Sequence, residues 1–388
     1  MGHVSTADRG HMARALRLAR RGLYTTHPNP RVGCVLVAGD GRVVGEGYHR
    51  RAGEAHAEVN ALADAGEQAR GATAYVTLEP CSHTGRTGPC AKALIEAGVA
   101  RVVIAMQDPN PQVSGRGVAL LENAGIAVTL GLLETDARAL NPGFIARMAA
   151  GRPYVRLKMA MSLDGRTAMA SGESQWITGP CARGEVQRLR ARSSAVLSGV
   201  ASVIQDNSRL TVRADQLGLD NADDVARRQP LRVIVDSRLR LPLAAACLAE
   251  PGRTLVVAVP GHEAKRRAAL EAAGAEVVTL AAGADGRVDL AALMAHLADT
   301  EAVNELLVET GATLAGAMLD AGQVDALWLF MAPTLLGAKA RGAFALPGLE
   351  RMADQYRLEI DDIRAVGGDF RIIARPRVTG VPAYTKVP

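Results

Sequence analysis

His56, Cys81 and Cys90 offer one imidazole and two thiols. These are three strong zinc ligands, and three protein ligands leave the fourth tetrahedral position open for water, as a catalytic zinc site requires. Glu58, two residues after His56, is then a carboxylate outside the ligand set, suited to taking a proton from such a water and giving it back. The chemistry implied is hydrolytic attack by an activated water. Two other readings stand beside it. Two cysteines and a histidine are by themselves more often buried small residues than ligands. A structural zinc would need a fourth protein ligand, for which His83 is the candidate, because Cys34 lies inside an apolar strand pattern.

Local structure must bring these residues together. A helical pattern opens at His56 with Val59, Leu62 and Ala63 inward. Residues two apart do not share a helix face, but side chains of a first turn can both reach past the helix end, where unpaired N–H groups favour a carboxylate. Ala72 to Leu78 reads as a strand ending at Glu79-Pro80-Cys81. Turn-forming residues follow to Pro89, and Cys90 then begins a helix through Ala97 closed by Gly98. A thiol at a helix N-terminus has a lowered pKa and binds metal as thiolate. His-x-Glu, then Pro-Cys, then a second cysteine is the order found in zinc deaminases.

The surrounding elements alternate. A first helix carries Met12, Leu16, Ala19 and Leu23 on one face and arginines elsewhere, and it lacks the apolar core of a signal peptide. His27-Pro28-Asn29-Pro30 cannot be helical, since each proline biases its predecessor toward extended geometry. Val32 to Val37 and Val43 to Tyr48 form a hairpin, and Gly45, Gly47 and Gly53 flank His49, where backbone could approach a ligand or simply turn. Arg101 to Met106 and Ile126 to Leu130 are strands around a helix from Gly117 to Asn123, which implies parallel pairing with right-handed crossovers. Glu134 to Ala149 reads as one helix with Leu140, Phe144 and Met148 inward, and Gly151-Arg152-Pro153 follows. The boundary is therefore set there, giving domains 1–150 and 151–388.

The second half is again α/β. Strands at Val155 to Met159, Ala195 to Ser198, Leu231 to Asp236, Thr254 to Val259 and Glu305 to Glu309 alternate with helices at Gly179 to Arg192, Ser202 to Gln205 and Glu263 to Ala273. Glu309 runs into Gly311-Ala312-Thr313-Leu314-Ala315-Gly316-Ala317, which opens a helix; strand, glycine, helix N-terminus is a physical anion cradle. Arg209 and Arg213 follow Asp206-Asn207-Ser208 and could grip a phosphate or form a solvated basic loop.

Composition bounds the rest. At 388 residues, two domains are expected. The chain is 48% hydrophobic but only 3% aromatic, which argues against a surface that stacks nucleic-acid bases. A net charge of +5 suggests anionic small ligands, since the basic residues are scattered. Five cysteines without framework spacing favour a reducing compartment and a cytoplasmic location, and no apolar run is long enough for a bilayer.

These residues resemble one family closely, the bifunctional riboflavin-biosynthesis deaminase/reductases. In the first half the resemblance rests on His27-Pro28-Asn29-Pro30-x-Val32-Gly33, Gly47-x-His49, Ala52-Gly53-x-x-His56-Ala57-Glu58 and Glu79-Pro80-Cys81 with Cys90. In the second it rests on Ser162-Leu163-Asp164-Gly165-Arg166, Ser174-Gln175-Trp176-Ile177-Thr178 and Glu309-x-Gly311. The wide Cys81 to Cys90 spacing differs from the Cys-x-x-Cys of cytidine and tRNA deaminases. Gly88 departs from the pattern, standing where a second proline is expected.

The resemblance implies a cytidine-deaminase-like α/β/α domain with a mixed sheet, then a dihydrofolate-reductase-like α/β domain. It implies hydrolytic deamination of 2,5-diamino-6-ribosylamino-4(3H)-pyrimidinone 5′-phosphate, then NADPH reduction of the ribosyl to a ribityl chain, in a homodimer or higher oligomer. Carried over residue by residue, it gives zinc to His56, Cys81 and Cys90, proton shuttling to Glu58, and pyrimidine orientation to Asn29. NADPH contacts fall on Ala160, Trp176, Ser202, Asp206, Ser237 and the run from Gly311 to Ala317; substrate contacts fall on Ser174, Arg190, Leu210, Arg213 and Glu309. The reductase proton donor is left among Asp206, Glu309 and Lys158. The alternative activity is a tRNA or nucleobase deaminase with an appended binding domain, motivated by the basic pI near 9.1.

Overall fold

The computed structural model describes residues 4–82 and 88–377. His83, the candidate fourth ligand, lies outside the described residues. The chain separates into two compact units between Gly151 and Arg152.

The first unit opens with α1 (Thr6–Arg20), capped by Ser5 and Asp8, which exchange hydrogen bonds across the first turn. Then come β1 (Gly33–Val37), β2 (Val43–Tyr48), α2 (Ala57–Ala65), β3 (Thr73–Val76), α3 (Cys90–Glu96), β4 (Arg101–Ile104), α4 (Arg116–Asn123) and β5 (Ala127–Leu130). The sheet order is β2-β1-β3-β4-β5. It is mixed, because β1 runs antiparallel to both neighbours whereas β3, β4 and β5 are parallel. All five residues of β1 are buried. Alternation sends Val35 and Val37 into a cluster with Met12, Ala15 and Leu16 of α1, and Cys34 and Leu36 into another with Ala57 and Ala61 of α2.

Two local expectations are corrected. Gly45 and Gly47 serve packing rather than a ligand, because a Cβ at Gly47 would lie 2.3 Å from the Ala57 carbonyl oxygen and one at Gly45 2.4 Å from that of Ala61. They let α2 settle directly on the hairpin. The helix expected over 134–149 is two, α5 (Glu134–Leu140) and α6 (Pro142–Ala150). Pro142 drives Asn141 out of helical geometry, to φ −122° and ψ 40°. The freed Asn141 side chain then accepts from the Arg31 backbone N–H and donates to the Arg31 carbonyl, locking the chain just after the Pro-Asn-Pro turn.

In the second unit, β6 (Tyr154–Ser162), β7 (Arg166–Ala168), α7 (Pro180–Arg192), β8 (Ala195–Gly199), α8 (Val200–Asp206), α9 (Ala222–Ala226), β9 (Leu231–Val235), α10 (Ala246–Ala249) and β10 (Thr254–Ala258) come first. They are followed by α11 (Ala264–Ala272), β11 (Glu276–Thr279), α12 (Leu290–Asp299), β12 (Glu305–Glu309), α13 (Ala312–Asp320), β13 (Ala326–Ala332), β14 (Arg341–Gly342), β15 (Leu358–Val366) and β16 (Asp369–Pro376). Nine strands form one sheet, β11-β10-β9-β8-β12-β6-β13-β16-β15. The seven from β11 to β13 are parallel, and the β15–β16 hairpin closes the far edge antiparallel. Leu157, Leu197, Val308 and Leu327 face one buried layer and Val196, Ile234, Leu307 and Phe330 the other, so both faces are covered.

Candidate active sites

His56 is the N-cap of α2, with extended backbone at φ −73° and ψ 166°. Cys81 follows the end of β3, and Cys90 is the first residue of α3. Their ligand atoms all lie within 4.8 Å of one another, the one such cluster among the described residues. His56 Nδ1 is 3.3 Å from Cys90 Sγ and 3.7 Å from Cys81 Sγ, and the Cys90 backbone N–H donates to Cys81 Sγ at 3.3 Å. A tetrahedral zinc with its usual bond lengths separates such donors by roughly 3.5–3.8 Å. The donor set therefore fits zinc in both chemistry and spacing.

Electrostatics agree. A hydrogen bond from the Cys90 thiol holds the Cys81 thiol down at about 4, helped by His56 and the Cys90 N–H. The Cys90 thiol is pushed well up by that same contact and by burial. Two sulfurs sharing one proton are poised to lose it to a metal ion. Burial first, and then the neighbouring Cys81 charge, raise the Glu58 carboxyl to about 7. A carboxyl in that range accepts and returns a proton near neutral pH.

Asn29 approaches from the Pro-Asn-Pro turn. Its Nδ2 is 3.1 Å from His49 Nε2, and His49 Nδ1 is 3.1 Å from the Ala55 carbonyl. Nδ1–H donating to Ala55 leaves Nε2 as an acceptor for the Asn29 amide, a consistent neutral tautomer; burial lowers the His49 pKa in keeping with this. The His49 ring stands edge-on to His56 at 5.2 Å. His49 thus holds the Asn29 amide, a contact the sequence marked only by the Gly47-x-His49 motif.

In the second unit a cleft of about 1240 Å³ opens at the carboxyl ends of the parallel strands, larger than a pocket for one drug-sized ligand. Its lining includes Ala160, Ser174, Trp176, Arg190, Ser202, Asp206, Leu210, Arg213, Ser237, Glu309, Gly311, Ala312, Thr313, Leu314 and Ala317. Ala315 and Gly316 do not reach it. Ala315 is fully buried in the core, and a Cβ on Gly316 would sit 1.9 Å from the Ala345 carbonyl oxygen. Of the seven positions in the expected run, five line the cleft, and the helical turn points the other two inward, a correction to the continuous run.

The cleft is internally braced. Gly311 N–H donates to Ser202 Oγ at 2.9 Å, and Gly199 N–H to Thr310 Oγ1 at 3.1 Å, joining the ends of β8 and β12. Ser174 Oγ donates to Asp206 at 3.1 Å. Arg190 grips Glu309 with two hydrogen bonds, at 2.6 and 3.0 Å, and donates a third to the Thr211 carbonyl. Burial pushes the Glu309 carboxyl up, but Arg190, Lys158 and Arg213 hold it below its ordinary value. Lys158, one of the three candidate proton donors, lies in the same lining; burial lowers its pKa against the pull of Glu309.

A family model described as the RibD C-terminal domain matches residues 153–372, more than half of the chain. The chain belongs to the RibD family. A second model, the cytidine and deoxycytidylate deaminase zinc-binding region, matches residues 5–106. Riboflavin biosynthesis protein RibD of Escherichia coli K12 is 52% identical over 365 residues, covering 93% of this chain and 97% of that protein. The RibD of Haemophilus influenzae is 48% identical over 381 residues, covering 97% and 100%. Among solved structures, Acinetobacter baumannii RibD superposes with a TM-score of 0.88 at 47% identity, covering 96% of this chain and 99% of that one. The Thermotoga maritima diaminohydroxyphosphoribosylaminopyrimidine deaminase/5-amino-6-(5-phosphoribosylamino)uracil reductase gives 0.80 at 32%, again covering 96% and 99%. As a RibD-family chain this is a bifunctional enzyme of riboflavin biosynthesis, with a zinc-dependent deaminase followed by an NADPH-dependent reductase. The expected mixed α/β fold of both halves is borne out. The tRNA or nucleobase deaminase alternative is set aside, because the second half is a RibD reductase domain.

Proposed function

We propose that His56, Cys81 and Cys90 hold the catalytic zinc and that Glu58 carries the proton in deamination of the diamino-pyrimidinone ribosylamine 5′-phosphate. The observation that supports this most is a buried carboxyl, with its pKa raised to about 7, beside a three-donor cluster. Bound zinc would supply a Lewis acid that makes water nucleophilic near neutral pH. Glu58 takes the proton of the attacking water, passes it to the ring nitrogen, and returns a proton to the departing amine so that ammonia leaves. Asn29, aimed by His49, hydrogen-bonds the pyrimidine edge and fixes which amino-bearing carbon faces Glu58.

In the reductase the first-turn N–H groups of α13, at Ala312, Thr313 and Leu314, cradle a cofactor phosphate. Ser202 fixes that turn through Gly311, while Ala160, Trp176, Asp206 and Ser237 line the remainder of the NADPH path. NADPH supplies hydride when bound. Arg213 meets the substrate 5′-phosphate, Ser174 and Leu210 shape the substrate end, and Arg190 holds Glu309 toward the sugar hydroxyls. Converting ribosyl to ribityl adds hydride at C1′, breaks the C1′–O4′ bond and demands a proton on the ring oxygen; Lys158 gives it, a role supported by its position in the cleft lining. The test is one assay with the phosphorylated diamino-pyrimidinone, following ammonia and NADPH together. Ammonia release without NADPH, and NADPH oxidation only after ammonia release, are expected. NADPH oxidation that precedes deamination would refute the order.

The partner is a small phosphorylated pyrimidine and not nucleic acid. Many arginines are committed inside the fold, Arg156 and Arg192 to Glu305, Arg232 to the Glu250, Pro251 and Gly252 carbonyls, and Arg371 to Glu185 and Asp362. The protein works in the cytoplasm, where its cysteines stay reduced; no helix among the described residues is long and apolar enough to cross a membrane. It assembles as a homodimer or higher oligomer through the β15–β16 hairpin. β15 is an edge strand exposing Leu358, Ile360 and Ile363, with Phe370 beside them on β16, a combination that a second copy would cover. Ile360→Lys with Ile363→Lys should give monomer by sedimentation, and an unchanged sedimentation coefficient would reject this interface.

A further inference from the structure

We propose that Glu79 is a positioning residue of the zinc site, a buried anchor that fixes where Cys81 leaves the sheet. This rests on the ligand set proposed above. Glu79 is only 3% exposed, yet among the described residues its hydrogen-bond partners include no cation. Its two oxygens instead accept four backbone N–H groups: Oε2 from Asp108 at 3.2 Å and Gly115 at 3.0 Å, Oε1 from Gly117 at 2.9 Å and Val118 at 3.3 Å. Gly115 is the N-cap of α4 and has no side chain with which to cap it. Glu79 caps that helix from 36 to 39 residues away, where the positive end of the dipole favours a carboxylate.

The same residue extends the strand. Its N–H donates to the Met106 carbonyl at 3.0 Å, continuing the β3–β4 pairing two residues before Cys81. On the other side of Cys81, its carbonyl accepts from Ala91 N at 3.2 Å and its sulfur from Cys90 N. Cys81 is therefore suspended between α4, reached through Glu79, and α3. The fit at α4 is close, for a Cβ on Gly117 would lie 2.1 Å from the Pro80 carbonyl oxygen. Removing the anchor strands four N–H groups, those of Asp108 and Gly117 buried and those of Gly115 and Val118 partly so, and moving α4 or the Cys81 segment is how the chain can answer. Either motion changes the spacing of the thiols that must share one metal.

Glu79→Gln, Glu79→Asp and Cys81→Ser are compared with the full-length parent protein by zinc affinity against a competing chelator, by the visible spectrum of the cobalt(II) form, by thermal midpoint and by reductase rate. Glu79→Gln is expected to bind zinc about 10–100-fold more weakly and to shift the cobalt ligand-field bands, with the reductase rate unchanged. Glu79→Asp, which keeps the charge but not the reach, is expected to fall between, and it decides the matter should the amide variant not fold. A lowered thermal midpoint with parental zinc affinity and cobalt spectrum in both Glu79 variants would mean a merely structural cap and overturn the proposal. Cys81→Ser separates the two readings: if it too leaves zinc binding intact, the ligand set itself is at fault.

Discussion

Glu58→Gln is expected to lower the rate of ammonia release by about 10²–10⁴-fold, the range for loss of a positioned general acid/base, with zinc still bound and the NADPH reaction on pre-deaminated substrate unaffected. The amide keeps the shape of a side chain that is almost wholly buried and deletes only its capacity to carry a proton. The pH profile gives a second readout. As a base Glu58 must be ionised, so kcat/KM should rise with pH through its pKa and level off above it. Burial and the Cys81 charge hold that carboxyl at about 7 in the metal-free arrangement. A bound cation favours the ionised form, so the acid limb of the zinc enzyme should lie below 7, and Glu58→Gln should lose the limb. Zinc content by elemental analysis and ammonia by a coupled assay decide it. Loss of zinc in the variant would make Glu58 a ligand or a scaffold, and release at more than a tenth of the parental rate would remove it from proton transfer.

How much of this was legible in the sequence follows from the range of each interaction. The cluster of His56, Cys81 and Cys90 could be read because imidazole and thiolate at helix starts and strand ends have few structural uses in common, and because each sits on an element with its own local signal. The break at Asn141 was also local, written in Pro142, but an apolar period running through it from Leu140 to Met148 outweighed the proline. Gly45 and Gly47 were visible as glycines; their purpose was not, since it depends on Ala57 and Ala61 crossing above them. The run from Gly311 to Ala317 is continuous in sequence, but a helix can present only some of its positions to one cleft. Glu79 was seen only as part of a three-residue motif, because its partners are backbone N–H groups at least 29 residues away and carry no side-chain signature. Gly117, where a Cβ would lie 3.2 Å from the Glu79 side chain, is its one trace in the sequence.

Lys158→Met is expected to reduce NADPH oxidation by about 10²–10³-fold while leaving NADPH binding, followed by fluorescence, and ammonia release unchanged. Reduction needs a proton at the ring oxygen, and a cleft lined by Lys158, Glu309, Arg190 and Asp206 offers few groups that can give one. Arginine does not part with its proton. Glu309 is held ionised by Arg190, Lys158 and Arg213 despite its burial. Asp206 already accepts the Ser174 hydroxyl hydrogen bond, which leaves Lys158, whose pKa burial lowers with Arg190 pushing the same way, while Glu309 and Asp206 oppose. A lysine with a lowered pKa is the better acid. The sign follows: Lys158 must be protonated to act, so the rate should be flat at low pH and fall as pH rises through a pKa below the ordinary lysine value of about 10.4. Glu309→Gln removes a negative neighbour that stabilises the ammonium, and so should move this basic limb to lower pH. A Lys158→Met enzyme with normal turnover, or a basic limb that Glu309→Gln leaves in place or moves upward, would assign the proton to another group.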